Sequence, residues 1–216
     1  MESNKCAKYI ASLISLGLVS KEYPYGEQKS KRSIYRLDDQ MFRFWYRFVF
    51  PNMSAVVAGL GEPVYAELVD DLLNAYMGPV FEDICKQWFF VQARKYAVDN
   101  NQRDEHAPPF FIGSIGRWWG TNTKTRSQEE LDIMSVNKNA ALFAECKWSN
   151  ANVDIDVFHN LKRKSEMFNY ADVHLYIFTK TGCTPRLNER RSAGEVKLYS
   201  LETIIRTGVD ARIARP

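Results

Sequence analysis

The sequence predicts an α/β layer domain preceded by a shorter segment of one helix and two strands. Apolar residues recur at helical spacing between about 75 and 96 and again between about 156 and 170. Three strand-like segments separated by polar turns lie between these helices, and the continuous apolar run 172–180 follows the second one. Short turns predict that the first three strands are antiparallel neighbours, and the crossover helix predicts a parallel fourth strand.

The first part of the chain predicts a partial winged helix. Residues 3–16 place apolar side chains on one helical face, and Gly17 supplies a C-terminal stop. A strand at 18–24, a polar basic loop and a strand at 34–37 follow. This order is that of the latter half of a winged-helix module, which normally has two further helices before it. We therefore expect a fragment, or a module that another segment completes.

A helix rich in aromatic residues is predicted over 38–52, with Asp38 or Asp39 as its N-cap. Its apolar stripe consists of Phe42, Trp45, Tyr46 and Val49. Such rings could stack on nucleic-acid bases, but an aromatic stripe at helical spacing more often faces a protein core. We therefore predict that this stripe is buried.

The larger domain is predicted to follow this helix. Residues 53–74 give only weak helical signals. The predicted strands are 110–120, 129–136 and 141–148, and a last strand with a short helix occupies 195–206. We accordingly divide the chain into 1–52, the partial winged helix with the aromatic helix, and 53–216, the α/β domain.

Charged residues interrupt two of the predicted core strands. Glu145 and Lys147 share one face of their strand because side chains alternate across a strand. If the hairpin turns at Lys138 and Asn139, Asp132 lies directly opposite Glu145. The sequence therefore predicts two facing carboxylates with an ammonium group beside them.

Facing carboxylates repel each other, and a bound divalent cation would offset this repulsion. Hard oxygen ligands favour Mg²⁺ or Mn²⁺, and Lys147 could orient a water or neutralise charge on a phosphorane-like transition state. The same register places Glu130 opposite Lys147. An exposed ladder of salt bridges is the alternative interpretation of these residues, and the pattern alone does not choose between the two.

The spacing D-x(12)-E-x-K, formed by Asp132, Glu145 and Lys147, resembles the PD-(D/E)xK nuclease superfamily. The resemblance implies a restriction-endonuclease-like α-β-β-β-α-β core, the element order predicted above. It also implies that Asp132 and Glu145 bind the metal and that Lys147 is the catalytic lysine. Many members add a glutamate from the first core helix, which matches Glu82 in "GPVFEDIC".

A resemblance to the C-terminal region of archaeal-type AAA+ ATPases covers almost the whole chain. The segments that carry it are "YIASLISLGLVSKEYPYGEQKSKRSIYRLDDQMFRFWYRFVFPN", "VFEDICKQW", "IGRWWG", "EELDIMSV" and "FAECKWS". In that family a P-loop ATPase domain precedes a winged helix and a restriction-endonuclease-like domain. The resemblance implies that this chain is the tail of such a protein and that the ATPase domain is its partner. Since no GxxxxGK[ST] loop occurs here, we expect no ATP site in this chain.

The charge pattern permits nucleic acid as a partner. The formal net charge is +3, and basic residues cluster at Lys29, Lys31 and Arg32, at Lys162, Arg163 and Lys164, and at Arg186, Arg190 and Arg191. Most such clusters are solvated faces, but we expect Lys29, Lys31, Arg32, Lys162 and Arg163 to contact DNA. Three functions stay open: Mg²⁺-dependent DNA hydrolysis, DNA binding without cleavage, and assembly with the ATPase.

The remaining sequence features predict a cytoplasmic protein. The four cysteines, which are Cys6, Cys85, Cys146 and Cys183, are widely spaced and show no metal-ligand pattern, so we expect buried thiols in a reducing compartment. No apolar run approaches the roughly 18 residues of a membrane span. The N-terminal residues lack a signal-peptide pattern.

Overall fold

The computed structural model describes residues 3–98 and 104–208, without the side chains of residues 3, 4 and 98. The chain divides into two compact units, Met1–Tyr76 and Met77–Pro216. The boundary falls inside a long helix, whereas the sequence placed the division after residue 52. Each unit is described by itself below.

The first unit begins with the helix and strand pair that the sequence predicts. Helix α1 spans Ser3–Ser15, strand β1 Val19–Glu22 and strand β2 Ile34–Leu37. The two strands pair antiparallel and are joined by the polar loop that carries the first basic cluster. The predicted helix, strand, basic loop and strand are therefore present in the predicted order.

Gly17 ends α1 as expected. Its φ of 70° is the left-handed conformation that a side chain disfavours. The N–H of Gly17 donates to the carbonyl of Ile14, and the N–H of Leu18 donates to the carbonyl of Leu13, both at 3.0 Å. These two bonds are those of a Schellman cap, which satisfies carbonyls that the helix end leaves without partners.

The aromatic segment forms a short helix, α2, at Gln40–Phe44, followed by a π-helical turn and a 3₁₀ turn. Asp39 caps α2, because its Oδ1 accepts the N–H of Phe42 at 2.9 Å. Within the π-helical turn Phe48 is buried, with its ring centroid 5.1 Å from that of Phe44 and 5.3 Å from that of Tyr76.

The prediction that the whole aromatic stripe is buried was wrong. Trp45 and Tyr46 are 40% and 58% exposed, and Phe42 and Val49 are only partly buried. The π-helical turn at residues 45–49 explains the difference, because i→i+5 hydrogen bonds widen the turn. Side chains then no longer follow the 3.6-residue spacing on which the predicted stripe depends, and Phe48 takes the buried position.

Helices fill the rest of the first unit and lead into the second. Helix α3 spans Met53–Val57, α4 Gly61–Val64 and α5 Asp70–Val98. A second π-helical turn at Tyr65–Val69 joins α4 to α5. The weak signal over 53–74 is thus helical, and α5 begins earlier than the predicted residue 75.

The second unit is a mixed α/β structure built on a five-stranded sheet. Its strands are β3 Gly116–Thr121, β4 Gln128–Asn137, β5 Ala140–Lys147, β6 Asp172–Thr179 and β7 Lys197–Ser200, and its later helices are α6 Ile155–Ser165, α7 Pro185–Ser192 and α8 Leu201–Gly208. The order in the sheet is β3-β4-β5-β6-β7. Strands β3, β4 and β5 are antiparallel neighbours, and β6 pairs parallel to β5, as predicted. Helix α7 was not predicted.

Helices cover the two faces of this sheet. From α5, the buried residues Phe81, Cys85, Trp88 and Phe89 join a core with Leu142 and Ala144 of β5. Phe143, the residue between them, turns to the other face and packs its ring 5.2 Å from that of Phe168, just after α6. Successive β5 side chains therefore face different helices, which places Glu145 on the α6 side and Cys146 in the core under α5.

Within the described residues, no helix is both long and apolar enough to span a membrane. All four cysteines are free thiols, and Cys85 is buried.

Candidate active site

The β4–β5 hairpin has the register that the sequence predicts. Its paired positions run from Asn137–Ala140 to Ile133–Ala144, so the turn falls at Lys138 and Asn139. Extending this register by one residue places Asp132 opposite Glu145. Both carboxylates thus lie where regular pairing of the two strands stops.

Asp132 is held by the backbone of the neighbouring strand. Its Oδ2 accepts a hydrogen bond of 2.8 Å from the N–H of Cys146. Burial, the Glu145 carboxylate and the Glu82 carboxylate raise the pKa of Asp132 to about 7, against the opposing effects of the Cys146 N–H and Lys147. Close to neutral pH, Asp132 therefore exchanges between its acid and carboxylate forms.

Glu145 is 8% exposed and has an ammonium partner for each oxygen. Lys147 Nζ lies 2.7 Å from Oε1, and Lys164 Nζ on α6 lies 3.1 Å from Oε2. Burial would lower the pKa of Lys147, but the carboxylates of Glu145 and Asp132 outweigh it and raise that pKa. Lys147 therefore stays protonated at neutral pH.

Glu82 approaches the site from α5. Burial raises its pKa, although the Arg117 guanidinium and Lys86 act in the opposite direction. Arg117 on β3 has its Nε 3.3 Å from Glu82 Oε2, and it also pairs with Glu130. Glu130, which is exposed, is thus paired with Arg117. The sequence predicts Glu130 opposite Lys147, but among the described contacts Lys147 pairs with Glu145 and not with Glu130.

The structure adds two residues to the site that sequence reasoning missed. In the sequence, Arg117 is one residue of a predicted strand rich in aromatic residues, and no role is assigned to it. Lys164 belongs to a basic cluster of the kind that usually lies on a solvated face. For Lys164 a signal was available, because it lies three residues after the inward-facing Leu161 and next to the inward-facing Ser165. Lys164 is partly buried, whereas its neighbours Lys162 and Arg163 are exposed.

The residues predicted to contact DNA lie apart in sequence and differ in their surroundings. Lys162 is exposed, and Arg163 donates to both oxygens of Glu129, at 2.7 and 3.1 Å. The first basic cluster lies on the loop between β1 and β2, where Lys29 and Lys31 are exposed and Arg32 pairs with a glutamate. Arg32 and Arg163 are thus members of the predicted set whose charges a carboxylate already balances.

The chemistry of the donors fits a hard divalent cation, because Asp132, Glu145 and Glu82 are carboxylates. Across residues 3–98 and 104–208, however, no three His, Cys, Asp or Glu side chains are already placed as a ligand group for a metal ion. Glu145 instead contacts two ammonium groups and Glu82 contacts a guanidinium. A cation at this position would therefore compete with these basic partners.

Comparisons with known proteins give one curated relative of interest. An uncharacterised protein of Methanocaldococcus jannaschii, MJECL04, is 30% identical over 200 residues, which are 90% of this chain and 40% of that protein. The chain thus spans less than half the length of this relative.

Two solved structures are similar only at a low level. Protein VC1899 from Vibrio cholerae covers 94% of this chain and 40% of its own length, at 11% identity and a TM-score of 0.42. A protein of unknown function, AF1548, covers 60% of this chain and 72% of its own length, at 13% identity and a TM-score of 0.33.

The model of one family, DUF234, described as "Archaea bacterial proteins of unknown function", matches residues 45–164, which is more than half of the chain. The chain belongs to the DUF234 family.

Proposed function

We propose that Asp132, Glu145, Lys147 and Glu82 form a PD-(D/E)xK-type site that hydrolyses DNA phosphodiester bonds with Mg²⁺ or Mn²⁺. The observation that carries this proposal is geometric: the hairpin register brings Asp132 opposite Glu145, and Lys147 Nζ lies 2.7 Å from Glu145 Oε1. Burial and the carboxylates of Glu145 and Glu82 also raise the pKa of Asp132, and a bound cation would relieve the repulsion between these carboxylates. The order α5-β3-β4-β5-α6-β6 supports a restriction-endonuclease-like fold for the same unit.

Each residue of the site has a role in this proposal. Asp132 and Glu145 would hold the metal ion, and Glu82 would assist from α5. The ion would supply positive charge to a phosphoryl oxygen and lower the pKa of a bound water. Lys147, which stays protonated, would position the attacking water and balance negative charge that develops on the phosphoryl group.

We also propose that the chain acts as the C-terminal part of an AAA+ ATPase. The coverage of the relative supports this, since the chain matches 40% of that protein and leaves room for a further domain. In this proposal ATP binds a separate ATPase domain, and the predicted basic residues contribute DNA contacts.

A cleavage assay tests the nuclease proposal. Purified protein is incubated with linear duplex DNA in the presence of Mg²⁺, Mn²⁺ or EDTA, and products are resolved on denaturing gels. We expect metal-dependent cleavage that falls at least about 100-fold in Asp132→Asn and in Lys147→Ala. Asp132→Asn keeps an oxygen that can accept the Cys146 N–H, so the hairpin contact is preserved. A loss of cleavage activity in this variant therefore reflects the lost negative charge and not a distorted hairpin.

A matched control uses the ion pair between Arg190 and Glu195 on the same unit, whose side chains are 45% and 34% exposed. Glu195→Gln removes one carboxylate and breaks this pair, but it leaves the site residues in place. Its cleavage rate should equal that of the wild type. Cleavage that Asp132→Asn and Lys147→Ala leave unchanged would assign any activity to another site or to a contaminant.

The second candidate function is DNA binding without cleavage. The observation that favours it is that both oxygens of Glu145 already have lysine partners, at 2.7 and 3.1 Å, so the carboxylate is neutralised without a metal. Salt-sensitive DNA binding, no metal-dependent cleavage and no heat of Mn²⁺ binding would select this function. Protein that binds no DNA at low salt would instead favour a role in assembly with the ATPase.

A further inference from the structure

A second pocket lies along the edge strand β7, away from the candidate active site. It has a volume of about 430 Å³ and is lined by every residue from Val196 to Ser200. Thr179, the last residue of β6, and Thr203 of α8 also line it. It therefore reaches the carboxyl ends of two parallel strands, where open α/β sheets usually bind their ligands. It shares no residue with the site around Asp132.

The lining of this pocket is strongly cationic. It includes Arg191, Lys197 and Arg206, with Glu105 as the only acidic side chain among its described lining residues. Within the part of the chain that the structure describes, Arg191 and Arg206 have no ion-pair partner, whereas the neighbouring Arg190 pairs with Glu195 at 2.9 Å. Both are exposed residues of the lining, so their guanidinium groups are accessible to a ligand from solvent.

The third cation is held in place by the backbone. Lys197 Nζ donates to the carbonyl of Glu105 at 3.1 Å and to that of Ala107 at 3.4 Å. Burial lowers the pKa of Lys197, although Glu105 and Asp104 act in the opposite direction. The two carbonyls hold the ammonium group in place where burial disfavours its charged form, so an anion in the pocket would stabilise that form.

A histidine in the same lining has a free ring nitrogen. The side chain of His106 is 14% exposed, and its Nδ1 is buried without a hydrogen-bond partner among the described residues. The ring packs against Trp88 and Tyr199, which fixes its orientation. A buried polar atom without a partner costs stability unless a water or a ligand supplies the missing bond.

From these contacts we propose that the pocket along β7 binds the phosphate group of a small phosphorylated molecule, with Arg191 and Arg206 as its principal ligands. Guanidinium groups recognise phosphate oxygens through paired hydrogen bonds, and the hydroxyls of Ser200 and Thr203 lie in the same lining. The volume is within the range of small-molecule sites. The phosphate could instead be the terminal phosphate of a nucleic acid, which has the same chemistry.

Isothermal titration calorimetry with pyrophosphate tests this site in the full chain. EDTA is present throughout, so that no divalent cation contributes, and the titration is repeated at matched ionic strength with chloride. We expect saturable binding to the wild type that weakens at least about tenfold in the double variant Arg191→Gln/Arg206→Gln. Arg186→Gln is the matched control, because it removes one arginine from the same helix without touching the pocket lining.

The source of the phosphate is distinguished by competition. A short oligonucleotide with a 5′-phosphate and the same oligonucleotide without it are added to the pyrophosphate complex. Displacement by the phosphorylated one alone assigns the site to a nucleic-acid end, and displacement by neither assigns it to a small molecule. The proposal is overturned if the wild type binds no pyrophosphate, or if the double variant, folded by circular dichroism, binds it as well as Arg186→Gln does.

Discussion

Lys164 on α6 places its Nζ 3.1 Å from Oε2 of Glu145 on β5. Since Lys147 occupies Oε1 of the same carboxylate, a mostly buried glutamate links a helix to the strand beneath it. The side chain of Glu145 is 10% exposed and that of Lys164 is 16% exposed, so solvent screens this contact only weakly. The ion cluster therefore contributes to the stability of the unit as well as to its proposed chemistry.

The first prediction concerns this cluster. Glu145→Gln should lower the free energy of unfolding by about 1–3 kcal/mol, because two ammonium groups lose their shared carboxylate in a poorly hydrated position. Urea denaturation at neutral pH measures the change. Glu195→Gln is the control, since the side chains of its ion pair with Arg190 are 34% and 45% exposed, and a surface pair of that kind contributes no more than about 1 kcal/mol. Equal losses in the two variants would contradict the prediction.

The second prediction concerns competition between Lys164 and a metal ion, and it depends on the proposed function. Lys164→Gln should bind Mn²⁺ more tightly, by roughly threefold to tenfold, because Oε2 of Glu145 loses its ammonium partner. Calorimetric titration with Mn²⁺ measures the affinity. Lys162→Gln, two residues earlier and exposed, removes the same charge without touching Glu145 and should bind as the wild type does. Weaker binding by Lys164→Gln would show that Lys164 supports the metal site and does not compete for it.

The third prediction concerns pH. The pKa of Asp132 in the folded chain is about 7, above its ordinary value of 3.8. Protonated Asp132 therefore contributes stability that is fully present below about pH 4 and is lost as the pH rises through about 7. Asp132→Asn, which cannot ionise, should gain about 2–3 kcal/mol relative to the wild type between about pH 5 and about pH 8.5, because the wild type loses about 1.4 kcal/mol per pH unit up to about pH 7.

Urea denaturation of both proteins in metal-free buffer at the two pH values checks this. Glu166→Gln, which changes an exposed carboxylate at the end of α6, should keep the same stability difference from the wild type at both pH values. A stability difference for Asp132→Asn that does not change with pH would mean that Asp132 titrates in its ordinary range.

Local patterns predicted much of this fold, and long-range packing accounts for what was missed. The register of Asp132 and Glu145 follows from side-chain alternation and a two-residue turn, both of which lie within one short stretch. Arg117 reaches Glu82 from a different element, and no spacing in the sequence joins these two positions. Helix α7 was missed because Leu187 is its only buried side chain, although Thr184 and Pro185 give an N-terminal signal.

The aromatic segment shows a different limit of sequence reasoning. Apolar spacing assumes one helical period, and a π-helical turn at residues 45–49 breaks that period without a residue type that announces it. Burial thus moves from Trp45 and Tyr46 to Phe48, although all three residues are aromatic. Side-chain truncation distinguishes the two arrangements.

The fourth prediction uses that difference. Phe48→Ala should lower the free energy of unfolding by about 3 kcal/mol, because it leaves a cavity between the rings of Phe44 and Tyr76. Tyr46→Ala removes a ring that is 58% exposed and should cost less than about 1 kcal/mol. Thermal and urea denaturation of the two variants measure the costs, with far-ultraviolet circular dichroism to check the helical content. If Tyr46→Ala lowers the free energy of unfolding more than Phe48→Ala does, the π-helical arrangement is wrong. Such a result would favour the regular helix that the sequence predicts, because that helix buries Tyr46 in place of Phe48.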